Sequence, residues 1–395
     1  MLAMVMVQGV FSWIRDRYCH PIIRQPNIRA LLGNGTGIVQ YLSIFSGIEA
    51  ASVAWEPMGW NPVGFSENAS FPSAVLDAHY PRVPNFGDIT AMDWTKNEQC
   101  LAADIVVGGS PCQSFSFAGT RTGLDGASGL MWEYVRTVRE IRPRWVLWEN
   151  VPGALPSGDG SDFRCLLQAL DELGYGLAWR VLDAQYFGVA QRRRRLYLVG
   201  SLGDQCAGEV LFEPESLQWD HPTCREKRKS LAAKVQDGIG KADRRGAVGS
   251  VKDSGGVEPS DASCLSRKTE VYEISGNIIG RVSRINGGHH LGVCDPDDTG
   301  AYTLTATDRH AVCIIKDDGG SVDESRIRYL TPVEYERLQG FPDGWTDIPY
   351  RGREHAPDEL RYKAIGNSMA VPVMRWLGER LQHADRHHRQ HADNI

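Results

Sequence analysis

The sequence predicts an α/β protein that consists of a doubly wound, mostly parallel sheet and a smaller β-rich second domain. Between residues 41 and 203, short apolar runs alternate with amphipathic stretches, a pattern typical of strands joined by helical crossovers. After residue 203 the alternation stops, and over residues 271–315 short β-like runs are separated by Gly and Asn. These two patterns indicate two different architectures within one chain.

Length and composition are those of a globular protein. The 395 residues suffice for about two to three domains, and 42% are hydrophobic and 23% charged. A net charge of -6 argues against a globally basic nucleic-acid binder but allows a local basic groove. The nine cysteines form no CxxC pair, so no metal site is predicted. Because the apolar start lacks a basic segment and is too short to span a membrane, a cytoplasmic location is expected.

The first domain is predicted to follow an irregular extension over residues 1–38. Its predicted strands cover residues 41–46, 62–66, 103–107, 145–149, 177–182 and 196–200. Its predicted helices cover residues 49–58, 70–80, 130–142 and 162–173. Ser70 is a plausible N-cap, and Pro143 and Gly174 are expected to end the last two helices, because Pro cannot continue a helix and Gly adopts the C-terminal turn.

The second domain is predicted at residues 204–354. Residues 224–245 contain eight Lys or Arg and three acidic residues, a local balance of +5, and a Gly- and Ser-rich linker continues to residue 260. A helix is expected from Thr331, which forms a capping box with Glu334. A last helix is predicted at 368–381, followed by a disordered tail at 383–395.

Cys112 stands at the end of an apolar run, in the segment VVGGSPCQSFSFAG of residues 106–119. Gly108 and Gly109 are expected to let the backbone turn sharply, and Pro111 fixes one backbone angle. Open α/β sheets bind ligands at the carboxyl ends of their strands. Cys112 is therefore a candidate nucleophile, and a buried structural thiol is the alternative.

Three other strand ends indicate a cofactor site. The segment IFSGIEAASVAW turns at the single Gly47 and lacks GxGxxG, which disfavours a nicotinamide oxidoreductase. Glu67 ends the next strand, where a carboxylate can accept hydrogen bonds from ribose hydroxyls. Asp88 ends the following segment and could meet an exocyclic amino group. Together they predict an adenosine-containing cofactor that needs no pyrophosphate site.

Glu149 and a run of arginines occur at two further strand ends. Glu149, in WENVPG, could hydrogen-bond a heterocycle in a protonated or proton-sharing form, the alternative being a helix cap or a surface acid. In QRRRRLYLVG, strand alternation places Arg193 and Arg195 on the side of Gln191. Two guanidinium groups on one face suit phosphate or carboxylate binding, the alternative being a solvated basic face.

These motifs occur in an order that resembles the DNA (cytosine-5)-methyltransferase family, in its bacterial and phage-encoded forms. The likeness rests on GGSPCQSFSFAG, WENVPG, QRRRR, RYLTPVEYERLQGFP and AIGNSMAVPV, and covers about residues 41–203 and 326–382. It implies a Rossmann-like S-adenosylmethionine-dependent methyltransferase fold with a target-recognition domain. The catalytic domain would comprise residues 41–203 and 355–382, because in the family the last motif packs back on the first domain.

The resemblance implies that S-adenosyl-L-methionine methylates carbon 5 of a flipped cytosine in duplex DNA through a covalent Cys112 adduct at carbon 6. Glu149 would donate to ring nitrogen 3. Arg193 would steady the ring oxygen or a phosphate, and Arg195 is the second arginine of that motif. The positions matched to cofactor binding are Phe45, Ser46, Gly47, Ile48, Glu67, Asp88, Ile89, Pro111, Asn367 and Ser368. The expected DNA contacts are Gln113, Ser114, Ser116, Gln191, Arg281, Arg284, Thr305 and Arg309, with residues 113–129 closing over the base.

One departure from the family pattern lies in the first motif. The family commonly has an acidic residue before the phenylalanine and more glycine after it, whereas this chain has Ser43 two places before Phe45, and Glu49 and Ala50 after the turn. A tRNA cytosine methyltransferase of the same architecture and a non-catalytic DNA-binding repressor remain alternatives. Double-stranded DNA is the expected partner and a monomer the expected state, and the resemblance leaves open whether a restriction endonuclease accompanies the chain.

Overall fold

The structure is a computed structural model. It describes residues 39–111, 129–203, 206–212, 269–274, 293–294, 311–316 and 327–392. The predicted extension, the basic segment with its linker, and Cys112 with the segment that follows it lie outside the described residues.

A six-stranded sheet forms the centre of the molecule. Its strands are β1 (Gln40–Ile44), β2 (Asn61–Ser66), β3 (Ile105–Gly108), β4 (Trp145–Asn150), β5 (Tyr175–Asp183) and β6 (Arg194–Leu202). Their spatial order is β2-β1-β3-β4-β6-β5. The first four are paired in parallel, and β6 runs antiparallel to both β4 and β5. The predicted α/β class is confirmed, and β6 is the strand that departs from a parallel arrangement.

Helices cover both faces of this sheet. They are α1 (Ala50–Trp55), α2 (Ser70–His79), α3 (Glu98–Leu101), α4 (Gly129–Ile141), α5 (Ser161–Glu172), α6 (Ala207–Leu211), α7 (Pro332–Gln339), α8 (Asp358–Asn367) and α9 (Val371–Ala392). Alternate residues of each strand enter two apolar clusters, one with α1 and α6–α9 and the other with α4 and α5. The sheet is therefore buried on both faces, which explains the continuous apolar runs in the sequence.

Helix ends agree only in part with the predicted ones. Ser70 is the first residue of α2 rather than its N-cap, because Ala69 holds the cap position. The capping box at Thr331 and Glu334 is confirmed, with each side chain bonding the other residue's backbone N–H. The predicted disordered tail is wrong as far as Ala392, since α9 continues to that residue.

A second, four-stranded sheet lies between α6 and α7 in the chain. Its strands are β7 (Thr269–Ile274), β8 (Val293–Cys294), β9 (Ala311–Lys316) and β10 (Ile327–Tyr329), in the order β10-β9-β7-β8, with every pair antiparallel. The strands agree with the β-like runs of the sequence. That they form a target-recognition domain is a proposal taken up below.

The last helix packs back on the first part of the chain. The indole nitrogen of Trp55 in α1 donates to the carbonyl of Met374 in α9, at 2.7 Å. The buried side of α9 belongs to the same apolar cluster as α1 and α6. This packing brings residues 366–369, at the end of α8 and directly after it, to the main sheet. Within the described ranges, no helix combines the length and apolar character that crossing a membrane requires.

Candidate active site and cofactor pocket

The candidate site is a pocket at the carboxyl ends of β1, β3 and β4. The space enclosed by its lining, counted together with the open solvent at its mouth, is about 410 Å³. The lining residues are Ser43, Phe45, Ser46, Gly47, Glu49, Ala50, Ala51, Val107, Gly109, Glu149, Asn367, Ser368 and Met369. Strand ends distant in the sequence thus meet at one edge, as expected for parallel strands.

The turn after β1 forms one wall of the pocket. Phe45 and Gly47 have positive φ angles of 52° and 58°, so the backbone reverses sharply between the strand and α1. The Gly47 N–H donates to Oε2 of Glu67 at 2.9 Å, and Glu67 also accepts from the N–H of Ala69. Glu67, at the end of β2, therefore holds the pocket turn in place, although it does not itself line the pocket.

Glu149 and Arg195 form a mostly buried ion pair at the pocket. Nε of Arg195 lies 3.1 Å from Oε1 of Glu149, and the two side chains are 15% and 13% exposed. Burial raises the pKa of Glu149, while the charges of Arg195 and Arg193 act in the opposite direction. A proton is consequently retained to higher pH than on an ordinary glutamate.

Gly108 and Gly109 are required for space and not for a turn, which corrects the prediction. Neither has a positive φ angle. A Cβ atom on Gly108 would lie 2.3 Å from the carbonyl oxygen of Ile44, and one on Gly109 would lie 2.8 Å from Oε2 of Glu149. The close approach of β1, β3 and the Glu149 carboxylate leaves no room for a side chain at either position.

Two side chains of β4 hold the segment that leads to Cys112. Nδ2 of Asn150 donates to the Ser110 carbonyl at 2.9 Å, and the indole nitrogen of Trp148 donates to the Ser110 hydroxyl at 3.1 Å. Ser110 is buried and Pro111 is exposed. The sequence pattern did not single out Asn150 or Trp148, although a polar residue directly after an apolar strand is a usable signal.

Arg193 and Gln191 are buried, which corrects their predicted roles as substrate and DNA contacts. Arg193 donates through Nη2 to the carbonyls of Gly366 and Ser368, at 3.0 and 2.7 Å. Burial and the neighbouring Arg195 lower the pKa of Arg193 to about 9. Gln191 is 0% exposed and donates to the carbonyl of Leu338. Both side chains point into the interior because residues 338–368 cover them.

The predicted cofactor residues divide into two groups. Five of them line the pocket: Phe45, Ser46, Gly47, Asn367 and Ser368. Ile48 and Ile89 do not, because their side chains are packed in the two apolar clusters. Asp88 is exposed and accepts hydrogen bonds from the backbone and hydroxyl of Thr90, so it caps a short 3-10 helix instead. Pro111 is not part of the lining either.

Ser43 and Glu49 line the pocket and were not among the predicted site residues. The Ser43 hydroxyl donates to Oε2 of Glu49 at 2.8 Å, and Oε1 accepts from the backbone and hydroxyl of Ser52. Burial raises the pKa of Glu49 to about 7, against the effect of these hydrogen bonds. The available signal was the departure from the family pattern at both positions.

The lining residues fit the chemistry of S-adenosyl-L-methionine. Phe45 supplies an apolar surface, the turn at Gly47 allows close approach to the backbone, and two carboxylates face the interior. The cofactor carries sulfonium, ammonium and carboxylate groups, with a net positive charge. Acidic side chains in the lining therefore suit it. The predicted DNA contacts in residues 113–116 and 281–309 lie outside the described residues.

Comparison with known sequences agrees with the geometry. A family model described as C-5 cytosine-specific DNA methylase matches residues 39–383. A DNA N-6-adenine-methyltransferase of Escherichia phage P1 is 33% identical over 87% of this chain, which spans 61% of the phage P1 protein's length. The orphan methyltransferase M.SPRI of Bacillus phage SPR is 25% identical over 88% of this chain and 98% of its own. The type II methyltransferase M.MspI of Moraxella sp is 27% identical over 87% of this chain and 70% of its own.

Solved structures show the same fold. The Dnmt2 methyltransferase of S. pombe aligns with a TM-score of 0.55 at 16% identity, covering 87% of this chain and 98% of its own. A putative DNA modification methyltransferase encoded within an E. coli prophage aligns with a TM-score of 0.52 at 17% identity, covering 88% of this chain and 99% of its own. At these identities the likeness concerns the fold alone.

Proposed function

Because the chain belongs to the family of C-5 cytosine-specific DNA methylases, we propose that it methylates carbon 5 of a flipped cytosine in a specific duplex DNA sequence through a covalent Cys112 adduct. S-adenosyl-L-methionine is the methyl donor of the family. The specific DNA sequence, the covalent Cys112 adduct and the roles of individual residues are all proposed.

The observation that carries the proposal is the meeting of three groups at one edge of the sheet. Glu149, at the end of β4, lines the same pocket as the turn after β1 and the segment between α8 and α9. Ser110, two residues before Cys112, is held against β4 by Asn150 and Trp148. Cys112 therefore follows Ser110 by two positions in the chain, and Ser110 is held beside both the Glu149 carboxyl group and the pocket.

Thiol addition makes the target carbon reactive. Carbon 5 of cytosine is a weak nucleophile, and addition of the Cys112 thiolate to carbon 6 shifts an electron pair to carbon 5. Protonated Glu149 donates a hydrogen bond to ring nitrogen 3, where negative charge develops. Bound S-adenosyl-L-methionine supplies an electrophilic methyl group on its sulfonium. Transfer of that methyl group to carbon 5 would break its bond to sulfur and leave S-adenosylhomocysteine. A base then removes the carbon 5 proton, and elimination breaks the bond between carbon 6 and Cys112.

The two arginines then have separate roles. Arg195 touches Glu149 directly and holds its carboxyl group at the pocket. Arg193 is a positioning residue, because it contacts the carbonyls on either side of Asn367 and so shapes the pocket wall. This division replaces the expectation that Arg193 meets the ring oxygen or a phosphate, and it keeps carboxylate binding for Arg195.

A base within a duplex must leave the stack to reach this pocket. We assign closure over the flipped base to residues 113–129, which include several glycines, and backbone contacts to the basic segment 224–245. Sequence reading is assigned to the second sheet and its connections, including Arg281, Arg284 and Arg309. The support for these assignments is the sequence.

Adenine methylation is the alternative suggested by the name of the phage P1 relative. The match leaves more than a third of that protein uncovered, so its name does not assign adenine chemistry to the matched part. An exocyclic amino nitrogen is itself a nucleophile and needs no thiol addition. A Glu149 carboxyl beside the segment that leads to Cys112 therefore favours carbon 5 of cytosine.

Methyl transfer to defined substrates tests the proposal. We expect labelled methyl groups from S-adenosyl-L-methionine to appear as 5-methylcytosine in duplex DNA, and nucleoside analysis by mass spectrometry would measure them. Cys112→Ala should abolish transfer, because the adduct cannot form. Cys165→Ala, which removes a partly buried thiol of α5 that is not among the pocket-lining residues, should retain activity.

Each other outcome identifies a different function. Turnover by the Cys112→Ala variant would contradict the thiol mechanism. Methylation of tRNA in place of DNA would favour the tRNA alternative, and N6-methyladenine would favour adenine chemistry. Sequence-specific DNA binding without any methyl transfer would favour a repressor.

A further inference from the structure

Glu49 is a pocket-lining carboxylate that the proposed chemistry leaves without a role. Its side chain is 1% exposed, and its two oxygens accept hydrogen bonds from Ser43 and Ser52. Its backbone is left-handed, with a φ angle of 66°, which a non-glycine residue adopts only at an energetic cost. Both the burial and the conformation keep one carboxylate at the pocket wall.

No basic side chain among the described residues pairs with Glu49. The causes that shift its pKa include burial, the two serines and Glu56, and no cation. The other carboxylate of the pocket, Glu149, already has Arg195 as its partner. Because an unpaired buried carboxylate is costly, a cationic ligand is the natural partner for Glu49.

The cofactor carries two cationic groups, the sulfonium and the ammonium, and the direction of methyl transfer decides which of them can lie near Glu49. The sulfonium must lie toward Glu149, since its methyl group passes to the base that Glu149 binds. The ammonium of the amino-acid end remains for the second carboxylate. We infer that Glu49, held by Ser43 and Ser52, binds the ammonium group of S-adenosyl-L-methionine. The inference rests on the proposed function for the orientation of the cofactor.

The Ser43–Glu49 hydrogen bond also accounts for the departure in the first motif. The family pattern has an acidic residue before the phenylalanine and more glycine after it, whereas this chain has Ser43 and Glu49 there. The Ser43 hydroxyl donates to Oε2 of Glu49 at 2.8 Å. A side chain of β1 thus holds a carboxylate supplied by the N-cap residue of α1.

Cofactor binding should consequently release protons near neutral pH. The pKa of Glu49 is about 7 without ligand, and a bound ammonium favours the ionised form. The titratable groups that interact electrostatically with Glu49 are Tyr41 and Tyr80, whose pKa values are raised, and Glu56. Glu149 lines the same pocket, so its titration must be measured separately.

Calorimetric titration with S-adenosylhomocysteine tests the inference without turnover. The purified full-length protein would be titrated at pH 6 and pH 8, in buffers of different ionisation enthalpy, to give the dissociation constant and the protons released. If only the ionised form of Glu49 binds, affinity at pH 8 should exceed that at pH 6 by roughly tenfold. Glu49→Gln should bind more weakly at pH 8 and lose most of this pH dependence.

Three further variants make the result specific. Glu98→Gln removes an exposed carboxylate of α3 and should behave as the wild type. Glu149→Gln measures the other pocket carboxylate, and the proton release due to Glu49 should persist in it. Glu49→Gly relieves the left-handed backbone and should also lose the pH dependence, so that misfolding of the glutamine variant would not obscure the outcome.

The outcomes separate this inference from the proposed function. Equal proton release with S-adenosylmethionine and S-adenosylhomocysteine supports the ammonium, whereas release with S-adenosylmethionine alone would mean that Glu49 faces the sulfonium and would overturn the assignment. Wild-type affinity and pH dependence in Glu49→Gln, with methyl transfer intact, would overturn the inference and leave the proposed function standing. Failure of the wild type to bind either compound would overturn both.

Discussion

Two buried carboxyl groups, Glu149 and Glu49, face one pocket and differ in their partners. Glu149 is paired with Arg195, whereas the partners of Glu49 within the described part of the chain are hydroxyl and amide donors. Burial raises the pKa of both groups, and for Glu49 the pKa is about 7. The proposed roles follow these partners: Glu149 would donate a hydrogen bond toward a base, and Glu49 would ionise when a cation binds.

The raised pKa of Glu49 predicts a specific change of stability with pH. The folded protein keeps a proton on Glu49 up to about pH 7, whereas the ordinary value is 4.5, so folding binds a proton between these values. The contribution of this residue to the free energy of unfolding should therefore fall as pH rises from 4.5 to 7, by about 3 kcal/mol.

Urea denaturation of the cofactor-free protein at a series of pH values measures this contribution. The wild type should lose stability relative to Glu49→Gln as pH rises through that window, while Glu98→Gln should follow the wild type. Parallel profiles for wild type and Glu49→Gln would show that Glu49 does not titrate in this range.

At the scale of elements, the approach of β3 to β4 determines the shape of the site. A side chain at Gly109 would collide with the Glu149 carboxylate, which is fixed by Arg195. We expect Gly109→Ala to reduce methyl transfer roughly a hundredfold, because misplacement of a reacting group by about 1 Å can have that effect. Steady-state kinetics would measure the loss.

Gly208→Ala is the matched control for this change. Gly208 lies in α6 with no heavy atom within 4 Å of an added Cβ, so the variant should keep its activity. Unimpaired turnover in Gly109→Ala would mean that the Glu149 carboxylate can move away without loss of function.

The features predicted well are those that depend on neighbouring residues alone. The apolar run that forms β4 and the capping box at Thr331 are two examples. The length of α9 is not predicted in this way, because a polar segment with several histidines is also typical of a solvated end. Its helix extends from a buried part that packs on α1 and α6.

At the scale of the whole molecule, distant parts of the chain complete the site. Arg193 reaches the carbonyls of Gly366 and Ser368, and Gln191 reaches that of Leu338. Strand alternation placed Arg193 and Arg195 on the side of Gln191, but it could not show that residues 338–368 bury Arg193 and Gln191. Contacts across more than 140 positions depend on tertiary packing, which one sequence does not reveal.

The matched motifs nevertheless located most of the pocket. Phe45, Gly47, Glu149 and Ser368 were predicted from sequence and line it together. The roles of Ser43 and Glu49 were missed, because their departure from the family pattern carried no assignment without the hydrogen bond that joins them. The sequence thus predicts which strand ends form the site, and the side-chain contacts refine what each residue does.

A covalent trap tests the central claim, that Cys112 adds to carbon 6 of the target cytosine, most directly. Duplex DNA that carries 5-fluorocytosine at the target would be incubated with the protein and S-adenosyl-L-methionine. A base can remove a proton from carbon 5 but cannot remove fluorine, so elimination stops and the adduct remains. Mass spectrometry of the digested complex should then find the nucleotide attached to the peptide that contains Cys112. Normal methylation of the unmodified site with no adduct on the fluorinated one, or an adduct on a different residue, would contradict the account.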